Sequence, residues 1–145
     1  CFETDLAVLD NISINELVMH AKRLGIHTKD ARPYIKDTLL KHRKLINKPN
    51  GYKAFALTNN PNIEPNKFSI NKDLVKEIYI YSDGFSQSFE HLNIYNSHDK
   101  MFSKSLDLEV EIQKIKEQAF LDKYCDKYPR LKKIDDITVI KIELE

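Results

Sequence analysis

The chain has 145 residues, 41% of them hydrophobic and 31% charged, with a formal net charge of +1. That length suits one domain with a real core, and the balance is that of a globular protein. So small a net charge offers no bulk attraction to nucleic acid, and no apolar run approaches the roughly 18 residues a membrane span needs. Two cysteines, Cys1 and Cys125, make neither a disulfide framework nor a CxxC pair. Reducing, cytoplasmic surroundings are the expectation. Glu3, Asp5 and Asp10 interrupt the start, unlike a secretory signal.

Taken in chain order, Asp5 to Asp10 ("DLAVLD") reads as a short strand. Ser13 and Glu16 have capping-box spacing, and Leu17, Ala21 and Leu24 follow at helical intervals up to Gly25, a C-terminal cap. Thr28 can cap a second helix, with Pro33 near its start and Ile35, Leu39 and Ile46 on one face. "NKPNGY" (Asn47 to Tyr52) is turn chemistry, and Tyr52 to Leu57 reads as a strand. Pro61, Pro65 and several Asn make the following segment a loop.

Asp73 to Ser82 contains a strand that runs straight into Ser82, Asp83 and Gly84, and Phe85 to Ile94 reads as a short helix. Tyr79 and Tyr81 alternate with Ile78 and Ile80 and are expected in the core. Leu108, Ile112, Ile115 and Ala119 form an apolar stripe, so Ser105 to about Asp126 is expected to be one amphipathic helix, closed by Pro129. Ile137 to Leu144 reads as a final strand. Mixed order with hairpin-like neighbours favours α+β, read as a single domain over residues 1–145.

Three acids frame the chemistry. Asp83 lies at the end of one apolar strand, and Asp135 and Asp136 lie just before another. If those strands are neighbours, the acids meet at one sheet edge, where carboxylate oxygens suit a hard divalent cation such as Mg²⁺ or Mn²⁺. Gly84 would let the backbone turn sharply beside Asp83. The same residues also fit a plain Asp-Gly turn and a solvated acidic loop.

"YSDGFSQ" and "YPRLKKIDDITVIKI" resemble the last two motifs of the metal-dependent protein phosphatases of the 2C type (PPM class). "RKLINKPNGYKAFAL" resembles a segment of a bacterial branch of that family, and all three occur in the family's order and spacing. The resemblance runs from about Arg43 to the C-terminus. It implies an αββα sandwich of antiparallel sheets flanked by helices, with two Mg²⁺ or Mn²⁺ ions in the complete domain. It implies hydrolysis of phosphoserine or phosphothreonine in a protein substrate by a metal-bound water. Asp83 and Asp135 match the family's metal ligands, and Asp136 stands at the auxiliary position beside the second.

The family's early Asp motif, its Gly-Asp segment and its phosphate-binding Arg have no counterpart here. The chain is therefore expected to be the C-terminal portion of such a domain, completed by an upstream segment or companion chain. Arg130 is a candidate phosphate contact, or else a solvated charge beside Lys132 and Lys133. The five histidines form no HExxH motif and no tight metal spacing, and Cys125 is expected to pack. Cys1 opens a different reading: a self-processed N-terminal-cysteine amidohydrolase or peptidase subunit, its α-amine acting as base for the thiol. The favoured reading of Cys1 is a trimming boundary whose thiol merely packs, because no oxyanion-hole motif is legible; a lipidation site comes third. A catalytically inactive phosphatase-like binding module is the remaining alternative.

Overall fold

A computed structural model describes residues 5–48, 51–53, 67–103 and 106–144. The chain is α+β: mixed helix and strand, with one two-stranded antiparallel sheet among the described residues. It divides into two compact units, Cys1–Phe68 and Ser69–Glu145, and each is described by itself.

In the first unit, α1 spans Asp5–Leu24. The expected strand over Asp5 to Asp10 is therefore helix. A short apolar run cannot separate strand from helix by itself; here the buried positions Ser13, Leu17 and Ala21 set a helical spacing that propagates back to Asp5. The capping box is corrected for the same reason. Ser13 lies inside the helix, fully buried, and its Oγ donates to the Leu9 carbonyl at 3.1 Å and lies 3.0 Å from His42 Nδ1. Glu16 accepts from Thr38 Oγ1 at 2.7 Å. Both side chains thus tie α1 to α2, Lys36–Arg43. Gly25 does cap α1: its φ is +64°, and the Ile26 N–H returns to the Ala21 carbonyl at 3.1 Å, the closure of a Schellman motif.

Thr28 is not a cap but the first, buried residue of a 3₁₀ helix, Thr28–Ile35, which carries Pro33 inside it and leads directly into α2. Among the described residues of this unit, Leu17, Ala21, Ala31 and Ile35 are the buried apolar ones. At the expected turn, Asn47 adopts a positive φ of 56° and its N–H donates to the Tyr52 carbonyl at 2.8 Å. Tyr52 and Lys53 are in no regular element, and the rest of the expected Tyr52–Leu57 strand and the Pro-rich loop after it lie outside the described residues.

The second unit carries the acids. β1 is Glu77–Tyr81, α3 Asp83–Glu90, α4 His98–Met101, α5 Leu108–Leu121 and β2 Val139–Glu143. β1 and β2 pair antiparallel, from Glu77 opposite Glu143 to Tyr81 opposite Val139. One sheet face sends Tyr81 and Val139 onto a core of Phe85, Leu92, Met101, Ile115 and Ala119. Tyr79 packs tilted against Phe102, ring centroids 4.7 Å apart, so both tyrosines sit where alternation puts them. Lys141 lies across the same face between Glu77 and Glu143, at 2.8 and 2.6 Å. The other face is Ile78 opposite Ile142 and Ile80 opposite Ile140, all four exposed.

α5 starts at an Asp107 cap, whose carboxylate accepts from the N–H groups of Glu109 and Val110. It ends at Leu121, earlier than Pro129 suggests, because Asp122 breaks it. The Asp122 carboxylate accepts from the backbone N–H groups of Asp126, Lys127 and Tyr128 at 3.0–3.1 Å. That captures the chain in a loop in which Cys125 takes a positive φ of 57° and is buried.

Candidate functional site

The antiparallel register places the end of β1 beside the start of β2, so Ser82-Asp83-Gly84 meets Asp135-Asp136-Ile137. Ser82 fastens the junction. Its backbone N–H donates to the Thr138 carbonyl at 2.9 Å, and its Oγ donates to the Asp136 carbonyl at 2.9 Å. The same Oγ accepts from the Thr138 N–H at 3.0 Å. The hydroxyl therefore continues the ladder by one rung where the backbone turns away into α3.

Gly84 is required by proximity. A Cβ there would fall 2.2 Å from the Asp136 carbonyl oxygen and 2.7 Å from its carbon. Any side chain would push the two acidic segments apart. The chain turns from β1 into α3 here, and the glycine also lets one backbone rest on the other.

Asp83 opens α3, where its charge complements the helix N-terminus, and its Oδ1 accepts from the Gly84 N–H at 2.9 Å. It is exposed, as is Asp136; Asp135 is half-buried. Both Asp135 carboxylate oxygens lie 2.7 Å from the Lys132 ammonium, and Oδ1 also accepts from the Asp136 N–H at 3.0 Å. The bond to Asp135 pushes the Lys132 pKa up, and the charges of Asp83 and Asp136 add to it. Lys132 is thus the shared electrostatic neighbour of all three acids.

The donor set is carboxylate oxygen, the kind a hard divalent cation takes, and the Lys132 ammonium already stands on Asp135. In number it falls short: among the described residues, no three His, Cys, Asp or Glu side chains gather closely enough to hold a metal ion. The residues match a metal's ligands in kind but not in number.

Arg130 does not serve as a phosphate contact. It is 2% exposed, and each of its five N–H bonds is spent. Nε donates to the Lys133 carbonyl; Nη1 to Asp122 Oδ2 at 2.7 Å and the Tyr128 carbonyl; Nη2 to the carbonyls of Ala119 and Asp122. The solvated-charge alternative is corrected as well, because the guanidinium is a buried tie between the end of α5 and the segment leading to Asp135. Cys1 lies outside the described residues. An open apolar groove is lined by Phe120, Leu121 and Ile134 together with Gln113, Lys116 and Glu117 of α5, and Ile134 directly precedes Asp135.

No protein-family model, no curated protein and no solved structure matches the chain. Among the described residues, no helix is long and apolar enough to cross a membrane.

Sequence reasoning passed over two residues that shape this site. Ser82 carried a signal, a hydroxyl between an apolar strand and an Asp-Gly pair, where a side chain can replace a lost ladder bond. Lys132 carried another: a lysine three residues before an aspartate reaches back to it within one turn of chain.

Proposed function

We propose that the chain is the C-terminal part of a phosphatase-like domain that hydrolyses phosphoserine or phosphothreonine in protein substrates with the help of Mg²⁺ or Mn²⁺. One observation carries the reading: two acidic segments far apart in sequence meet at one sheet edge, stapled by Ser82 and spaced by Gly84. A plain Asp-Gly turn and a solvated loop give no reason for that long-range fit.

In this reading Asp83 and Asp135 hold the cation, Asp136 lies beside them, and a companion N-terminal segment supplies the other ligands of a two-ion site. When bound, the cation provides an activated water and positive charge against the phosphate oxygens. The contribution of this chain is position. Ser82 and Gly84 fix the separation of the two acidic segments, and the buried Arg130–Asp122 tie anchors the strand of chain that leads to Asp135.

The αββα sandwich belongs to the same proposal. It is supported by the four isoleucines on the outer sheet face, an apolar surface of the kind a second layer covers. A sequence with only two cysteines, of which Cys125 is free, agrees with a cytoplasmic setting.

The test is phosphate release from a phosphothreonine peptide by the full gene product carrying this chain. Release should require Mn²⁺ or Mg²⁺, stop with EDTA, and be abolished by Asp83→Asn and by Asp135→Asn. Hydrolysis that ignores chelator and both substitutions overturns the proposal. Loss of a hydrolytic activity on Cys1→Ala alone would favour the thiol hydrolase instead.

A further inference from the structure

We propose that the outer face of α1 pairs antiparallel with the same face of a second copy of this chain. The partner follows from the face itself, which is its own complement when reversed.

Ser13, Leu17 and Ala21 bury one side of α1 in the first unit. On the opposite side lie Val8, Ile12, Asn15 and Met19, within about 60° of arc at 3.6 residues per turn. All four are exposed, the apolar ones to 50%, 50% and 65%. They follow one another in steps of four, three and four residues. That is the rhythm of a seam between two helices, and scattered surface apolar residues do not keep it.

One further step at each end of the stripe reaches Asp5, the first residue of α1, and the exposed Lys22 in its last turn. The two ends are thus opposite in charge. Reversed on a second copy, the stripe sets Asp5 opposite Lys22, Val8 opposite Met19 and Ile12 opposite Asn15. A two-fold axis makes each of these pairs twice. A parallel pair would set Lys22 on Lys22 and Asp5 on Asp5, with the helix dipoles side by side, so charge selects the antiparallel one. Both charges also suit the dipole of a lone helix; their alignment with the apolar stripe is what extends them to a partner. Three apolar side chains per copy make a small interface, at the weak end of protein association, and Asn15 in the seam fixes register at a cost in affinity.

The experiment is sedimentation velocity of the full gene product over roughly 5–500 µM, where so small an interface is expected to associate. Wild type should pass from monomer to dimer across that range. Met19→Glu should hold it monomeric, with unchanged circular dichroism, because the buried side of α1 is untouched. Asn15→Leu should tighten the dimer roughly tenfold, the effect of burying one leucine. Lys22→Asp should weaken it about two- to fivefold at low salt and less at high salt. Adding Asp5→Lys should restore it, which a parallel pair does not predict. Wild type that stays monomeric overturns the proposal, and so does a dimer that Met19→Glu leaves intact. A dimer indifferent to Lys22→Asp at low salt overturns the antiparallel pairing. If Met19→Glu lowers the Tm of a monomeric wild-type protein instead, another part of the gene product covers the stripe and the second copy is overturned.

Discussion

Replacing Arg130 with Met should destabilise the second unit by about 4 kcal/mol, within the range for breaking one side of a buried ion pair. Met fills much of the volume of the arginine stem, so packing contributes little. The cost is polar. The carbonyls of Ala119, Tyr128 and Lys133 lose the guanidinium, whereas Asp122 O keeps the Cys125 N–H at 3.0 Å. The Asp122 carboxylate keeps three backbone donors but no counter-charge. Summing the lost bonds separately would overshoot, because they act as one unit. Asp122→Asn should cost a similar amount, since it strands a buried guanidinium. The double substitution should cost less than the two added together, by about 1–3 kcal/mol. Urea unfolding followed by far-UV circular dichroism measures the totals. Hydrogen exchange at the amides of Asp126, Lys127 and Tyr128 reports the loop itself, which should open early in either variant. An Arg130→Met protein within about 0.5 kcal/mol of wild type, the range of ordinary surface changes, would refute the buried tie. It would also return Arg130 to the list of phosphate contacts.

Gly84→Ala should cost about 3 kcal/mol, the upper part of the range for overpacking, because its methyl would meet the Asp136 backbone rather than a movable side chain; thermal unfolding checks it, and an unchanged Tm would contradict the close approach. Ser82→Ala removes two hydrogen bonds at the part-exposed strand junction and should cost about 1–2 kcal/mol, with faster exchange of the Thr138 amide. Tyr95→Phe leaves Glu111 Oε2, in a side chain 5% exposed as a residue, without its 2.6 Å phenol donor, at a cost of about 1–3 kcal/mol near neutral pH. Burial, then the bond to Glu111 and its charge, pushes the Tyr95 phenol above its ordinary value of 10.0. The native state therefore holds this proton more tightly than the unfolded chain, so the contribution is intact below pH 10 and is lost as pH rises through the folded value. Denaturant titrations at about pH 8 and about pH 11 should show wild type losing more stability than Tyr95→Phe across that interval.

Legibility of the sequence followed the range of the interactions involved. Local signals read well: Gly25 ends α1, the stripe at Ile115 and Ala119 is buried, and the tyrosines of β1 face inward. Errors fell where a distant contact outranked a local pattern. Ser13 looked like a cap because Glu16 lies three residues on, but its hydroxyl faces His42 across a helix pair. Arg130 looked like a solvated or phosphate-seeking charge because lysines follow it. Its five bonds come largely from the folded-back end of α5, which only a loop nucleated by Asp122 brings within reach.

The same distinction explains why the acids could be paired from sequence while their immediate surroundings could not. Two apolar strands ending and beginning on acids will bring those acids to one edge if they are antiparallel neighbours, and the register from Tyr81 to Val139 does so. Nothing in that pattern specifies what neutralises the edge. Three carboxylates at one strand junction repel one another, and without a counter-charge the junction would resist closing. Lys132 supplies that charge within the chain through its bond to Asp135, with Asp83 and Asp136 acting on it as well. Lys132→Met should therefore destabilise the junction by about 0.2–1 kcal/mol, the range of a part-exposed ion pair, and the loss should shrink as salt screens it. Urea unfolding at low and high salt measures both, and a variant as stable as wild type at low salt would refute the neutralising role.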